Sequence, residues 1–168
     1  GRLKEVVFAL CSELLVLAKL ADNTAQAETK LNDALDSGKA AEVFGKMAHL
    51  LGGPSDLIEN YSAHLSQAPV VRPVFSEAKG YVTSMDTRSL GMTVVQLGGG
   101  RSRAEDAIDP AVGLEDVISL GETHDQPLAT IHAQSEDAWN EAAAMIRSAV
   151  VFGDSPVEPP PVLHEIIR

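Results

Sequence analysis

The sequence predicts an α+β fold, with a helical segment over residues 1–66 followed by a mixed segment of short strands and helices over 67–168. Three observations carry this. Apolar residues recur at helical spacing through the first sixty positions. The texture then changes at Gln67-Ala68-Pro69, which reads as a linker. Beyond it, short β-branched runs alternate with glycine-marked turns and one long amphipathic stretch. A chain of 168 residues is long enough to bury a core without disulfide staples. With only 4% aromatics, that core must be built from Leu, Val, Ile and Ala.

Residues 3–20 read as the first helix, with Leu3, Val6, Val7, Leu10, Leu14 and Leu17 on one face. Phe8, Ala9, Leu15 and Val16 load the other side, and a helix apolar nearly all round is normally covered all round. Gly1-Arg2-Leu3-Lys4 leads straight into it, so the expectation is that a further segment of polypeptide packs on this helix. Asp22 is the expected N-cap of a second helix reaching Asp36, stopped by Gly38. A third spans 39–51 on Ala40, Val43, Phe44, Met47, Leu50 and Leu51, and ends at Gly52-Gly53-Pro54. Ser55 is expected to cap a short helix with Leu57, Ile58, Tyr61 and Leu65 inward.

In the second segment, Val70–Phe75 and Tyr81–Met85 read as strands around a turn at Lys79-Gly80. Asp86 or Thr87 is placed to cap a helical stretch over Ser89–Leu97, broken by Gly98-Gly99-Gly100. Residues 101–110 read as a charged loop. Val112–Leu120 and Pro127–Ala133 read as paired strands joined at Gly121–Asp125. Ser135 caps a last helix, with Glu136 and Asp137 favourably placed in its first turn and Trp139, Ala142, Ala143, Ile146 and Val150 as its core stripe. The tail from Ser155, with Pro156, Pro159, Pro160 and Pro161, should be extended.

The net charge is −11, and from residue 101 onward there are 13 acidic and 4 basic residues. Such a surface repels a phosphate backbone and disfavours nucleic-acid binding. The apolar run Val6–Ala18 is interrupted by Ser12 and Glu13 and is too short to span a bilayer, so no membrane partner is expected. The single cysteine, Cys11, permits no internal disulfide and fits a reducing, cytoplasmic setting. Its apolar neighbourhood reads as a buried filler.

Few residues carry chemistry. The Gly98–Arg103 loop combines glycines, which let backbone N–H groups approach an anion, with Arg101 and Arg103. It lacks a Lys-Ser/Thr phosphate-loop pair, so it reads first as a mobile connector and second as a lid-like loop that orders near a ligand. His49, His64, His124, His132 and His164 show no metal-ligand spacing, and each reads as structural or solvent-facing. The pairs Glu105/Asp106, Glu115/Asp116 and Glu136/Asp137 are consecutive and do not converge, so they read as solvated charge. Cys11 has no identifiable base partner. The run from Gly113 to Gly121 followed by Pro127–His132 is similar to the strand–turn–strand of biotinyl and lipoyl carrier domains. A carrier needs a lysine at the hairpin tip, however, and the last lysine of the chain is Lys79.

The stretch Gly80-Tyr-Val-Thr-Ser-Met-Asp-Thr-Arg-Ser-Leu-Gly-Met-Thr-Val-Val-Gln-Leu-Gly-Gly-Gly-Arg-Ser-Arg103 and its continuation from Glu105 to Leu114 resemble the C-terminal signature of thymidine and pyrimidine nucleoside phosphorylases. Gly38–Gly45 and Gly53–Tyr61 resemble the bacterial thymidine phosphorylase pattern, so the resemblance covers essentially the whole chain. It implies that the helices are a remnant of a large α/β domain, followed by a C-terminal subdomain of α/β-hammerhead type. It implies a homodimeric enzyme of pyrimidine salvage with phosphate as co-substrate and no metal or organic cofactor. The family's phosphate-binding and base-binding motifs do not map onto residues 1–168. No catalytic, phosphate-binding, substrate-binding or metal-binding residue is therefore expected here, and the chain alone is expected to be inactive. The competing reading is a stand-alone hammerhead-type binding or assembly module.

Overall fold

A computed structural model describes residues 1–167 and divides the chain into two units: Gly1–His64 together with the tail from Pro160, and Leu65–Pro159. The tail, which the sequence pattern places with the second segment, groups with the helices instead.

The first unit consists of α1 (Arg2–Leu17), α2 (Thr24–Asp36), α3 (Lys39–Leu50) and α4 (Leu57–His64), packed in succession. The cap of α2 is Asn23 rather than the expected Asp22. Asn23 accepts the Gln26 backbone N–H at 2.9 Å, while the Gln26 side chain accepts the Asp22 N–H at 2.7 Å. The amide must sit three residues before the donor it satisfies, and only Asn23 does so for Gln26. Gly38 adopts φ +78, the left-handed conformation that lets α2 stop and α3 begin without an intervening loop. Ser55 does not cap α4. The carboxylate of Asp56 instead accepts from Asn60 at 2.8 Å and meets His64 Nε2 at 2.8 Å, and the helix is kinked at Asn60.

Burial in this unit is sparse. Ser12, Ala21 and Ala27 are buried, whereas the large apolar side chains of α1 lie open, with Leu10 58% and Leu14 62% exposed. Leu3, Val7, Leu10, Leu14 and Leu17, spaced alternately by four and three residues, form one uncovered row. Val43, Phe44, Met47 and Leu50 of α3 are equally open. Tyr61, expected inward, is exposed, and so is Leu65, the first residue of the second unit. The periodicity is present, but the surface that would cover it is not within the unit.

The second unit closes a core of its own. It contains β1 (Val70–Val74), β2 (Tyr81–Met85), α5 (Thr87–Val94), β3 (Gly113–Glu115), β4 (Ala129–Ala133), α6 (Glu136–Ala149) and β5 (Val150–Gly153). Two antiparallel sheets form, one in the order β1-β4-β3 and one pairing β2 with β5. The strands expected to flank the Lys79-Gly80 turn therefore do not pair with each other: Val74 faces Ala129, and Met85 faces Val150. The expected pairing of 112–120 with 127–133 contracts to β3 with β4 plus one bond from Ile118 N to Leu128 O. The chain beyond Ile118 turns instead to β2, where Val82 exchanges backbone bonds with Gly121 and Glu122.

The residues of β4 alternate cleanly. Ala129, Ile131 and Ala133 point into the core, and Thr130 and His132 point away. Against this face lies α6, which buries Ala142, Ala143 and Ile146 alongside Val74, Val82, Leu90, Leu97, Ile118 and Leu128. The small alanines let the helix approach the sheet closely, and the branched side chains fill the space between them. Ser135 caps α6 through the Ala138 N–H, as expected. Val150, assigned by periodicity to the helical stripe, is the buried first residue of β5, a strand that the sequence pattern does not announce. Trp139 is half-buried at the rim. Its ring lies 4.5 Å from the Arg72 guanidinium, its Nε1 donates to the Arg72 carbonyl at 3.2 Å, and Arg72 also pairs with Glu136. These contacts tie β1 to the first turn of α6.

Candidate functional site

The Gly98–Arg103 loop is the feature with the most chemical promise, and its geometry changes its meaning. The last turn of α5 widens into a π-type turn over Val95–Gly99. Gly98 takes φ +99, a conformation open to glycine at little cost. The next two glycines sit in crowded surroundings. A Cβ on Gly99 would stand 3.0 Å from Val94 Cγ1, and one on Gly100 would stand 2.8 Å from Val95 Cγ2. The triplet is a tightly packed turn, not the mobile connector expected from composition.

Two carboxylates hold the chain beyond the triplet. Asp106 accepts the backbone N–H groups of Ser102 at 3.0 Å and Arg103 at 2.8 Å. Asp109 accepts from Ala111 N at 2.9 Å and from Gln134 Nε2 at 2.7 Å, and its own N–H closes the loop onto the Gly98 carbonyl at 2.9 Å. The paired N–H groups that could receive an anion are thus already occupied by the chain's own carboxylate. Arg101 and Arg103 are exposed. Asp106, expected to be solvated charge, is an internal clasp. Its position three residues beyond Arg103 is the local spacing at which Asp side chains bind backbone, and that signal is present in the sequence.

The histidines do not converge. His49 Nδ1 lies 3.4 Å from the Gly53 carbonyl, and His132 Nε2 lies 3.1 Å from Glu115. His124 approaches both the N–H and the carbonyl of Gly80 at 3.3 Å and lies 3.4 Å from Asp125. The contacts of His132 with Glu115 and of His124 with Gly80 each tie together two segments of one unit. His164 lies on the exposed tail. Among the described residues no cluster of three or more His, Cys, Asp or Glu is arranged to hold a metal ion. Cys11 is half-buried in α1. Of the acidic pairs, Glu115 reaches His132 and Glu136 reaches Arg72, so both hold the fold locally.

Hollows with polar linings occur in each unit. A groove of about 430 Å³ between α3 and α4 is lined by Glu42, Lys46, His49, Ser55 and Glu59. Glu42 and Lys46 pair along α3 at its edge at 2.6 Å, and that hydrogen bond and charge hold the Glu42 carboxyl below its ordinary range. A second hollow of about 350 Å³, beside Asp116, Ser119, Glu122 and Thr130, is closed on one side by Glu122 accepting the Ser119 N–H at 2.6 Å. Neither joins a nucleophile to a base, and neither carries an unpaired cation beside a polar cradle.

Residues 81–153 match the family model of the pyrimidine nucleoside phosphorylase C-terminal domain. The matched segment runs from the first residue of β2 to the last of β5 and includes the glycine triplet, its carboxylate clasp and α6. Over these residues the chain is similar to a pyrimidine nucleoside phosphorylase C-terminal domain, which supports reading it as a C-terminal portion of that kind of protein. The strand β1 lies outside the match yet supplies the neighbour of β4, so the structural unit begins earlier than the family segment. No helix is long and apolar enough to cross a membrane among the described residues.

Proposed function

We propose that this chain is the C-terminal structural part of a thymidine phosphorylase. The whole enzyme would take thymidine and phosphate to thymine and 2-deoxy-α-D-ribose 1-phosphate in pyrimidine salvage. Phosphate attacks C1′ of the nucleoside and the base leaves, a reaction that needs no organic cofactor or metal. In this reading the enzyme is a cytoplasmic homodimer, its reactive centre lies in polypeptide outside these 168 residues, and the chain by itself turns over nothing. The observation that carries the reading is the family match over 81–153, flanked upstream by helices with the expected Gly38–Gly45 and Gly53–Tyr61 motifs. The open apolar rows of α1 and α3 agree with it, because faces of that kind call for cover. So does the way the polar groups of the best loop are used up internally.

The test is a phosphorolysis assay in two arms. Pure chain incubated with thymidine and phosphate is expected to release no thymine; measurable release refutes the inactivity. The chain co-expressed with the N-terminal part of a family phosphorylase is expected to be recovered with it and to restore thymine release. Failure to associate would count against the structural role. In the reconstituted complex, the relative rates on thymidine, deoxyuridine and uridine decide the substrate range.

A further inference from the structure

We draw no further inference here: the strongest candidate, the uncovered apolar rows of α1 and α3 in the helical unit, is an unpartnered surface, and nothing in the structure shows what covers it.

Discussion

The two units have similar apolar patterns and opposite outcomes. In α6 the stripe Ala142, Ala143 and Ile146 disappears into a core shared with β1, β2 and β4. In α1 the row Leu3, Val7, Leu10, Leu14 and Leu17 remains open, although its periodicity is at least as regular. Hydrophobic spacing states that a face seeks burial; it does not state which segment provides it. A unit that closes its own core derives its stability internally, while one that leaves its rows bare derives stability from whatever covers them.

Excision separates the two most strongly. Residues 65–159 produced alone are expected to unfold in one cooperative step, followed by the fluorescence of Trp139, the only tryptophan of the chain. Residues 1–64 alone are expected to show no cooperative transition in circular dichroism and to bind a hydrophobic dye. A sharp melt of that piece would erase the distinction.

Single side chains give the next largest effect. Ile131 is fully buried in β4, and Ile131→Ala is expected to cost about 2–5 kcal/mol in urea unfolding followed at Trp139. Leu10→Ala, the matching truncation on α1, is expected to shift the same transition by no more than about 0.5 kcal/mol in the chain as it stands. Equal costs would mean that α1 is covered after all.

Backbone crowding comes next. Gly80 has φ +114, and a Cβ there would lie 2.3 Å from the Gly153 carbonyl oxygen, so Gly80→Ala must push β2 from β5. A loss of about 1–3 kcal/mol is expected from this strain. Gly52→Ala in the helical unit, also at positive φ but with open space around it, should cost less. A reversed order in thermal denaturation would show that conformational strain, not the close strand approach, governs these sites.

The smallest effect is an acid response. The Ser89 hydroxyl and then its backbone N–H hold the Asp86 carboxyl below its ordinary value of 3.8. Asp56 is held down by the Asn60 side chain and then by His64. A depressed folded-state value stabilises the native form above pH 3.8 and loses that contribution as pH falls through the folded value. Asp86→Ala should therefore flatten the stability profile of the mixed unit below about pH 4 and leave its slope near neutrality unchanged. An unchanged acid limb would remove Asp86 from the account.

Much of the fold is legible in the sequence. Helix ends are marked by local chemistry, as at Ser135 and Asp86, whose side chains accept an N–H three residues on. Strand partners are not. β1 is separated from β4 by more than fifty residues, and nothing within five residues of valine, arginine and proline names a mate at that range. β5 is hidden because α6 passes into it with no glycine or proline between them. Tyr61 and Leu65 mislead because amphipathic spacing identifies an apolar side without telling whether it is roofed. The glycine triplet misleads for a related reason. Val94 and Val95 press against it only once the π-type turn has formed, and composition alone equates three glycines with freedom.

The direct passage from α6 into β5 fixes the length of the chain at that point. Ala149 is still helical and buried, Val150 is already paired with Met85, and the Asp86 N–H is bonded to the Ala149 carbonyl. One inserted residue would either swing the helical face by about 100° or exchange the inner and outer sides of the strand. Natural changes in chain length should thus be excluded between 142 and 153.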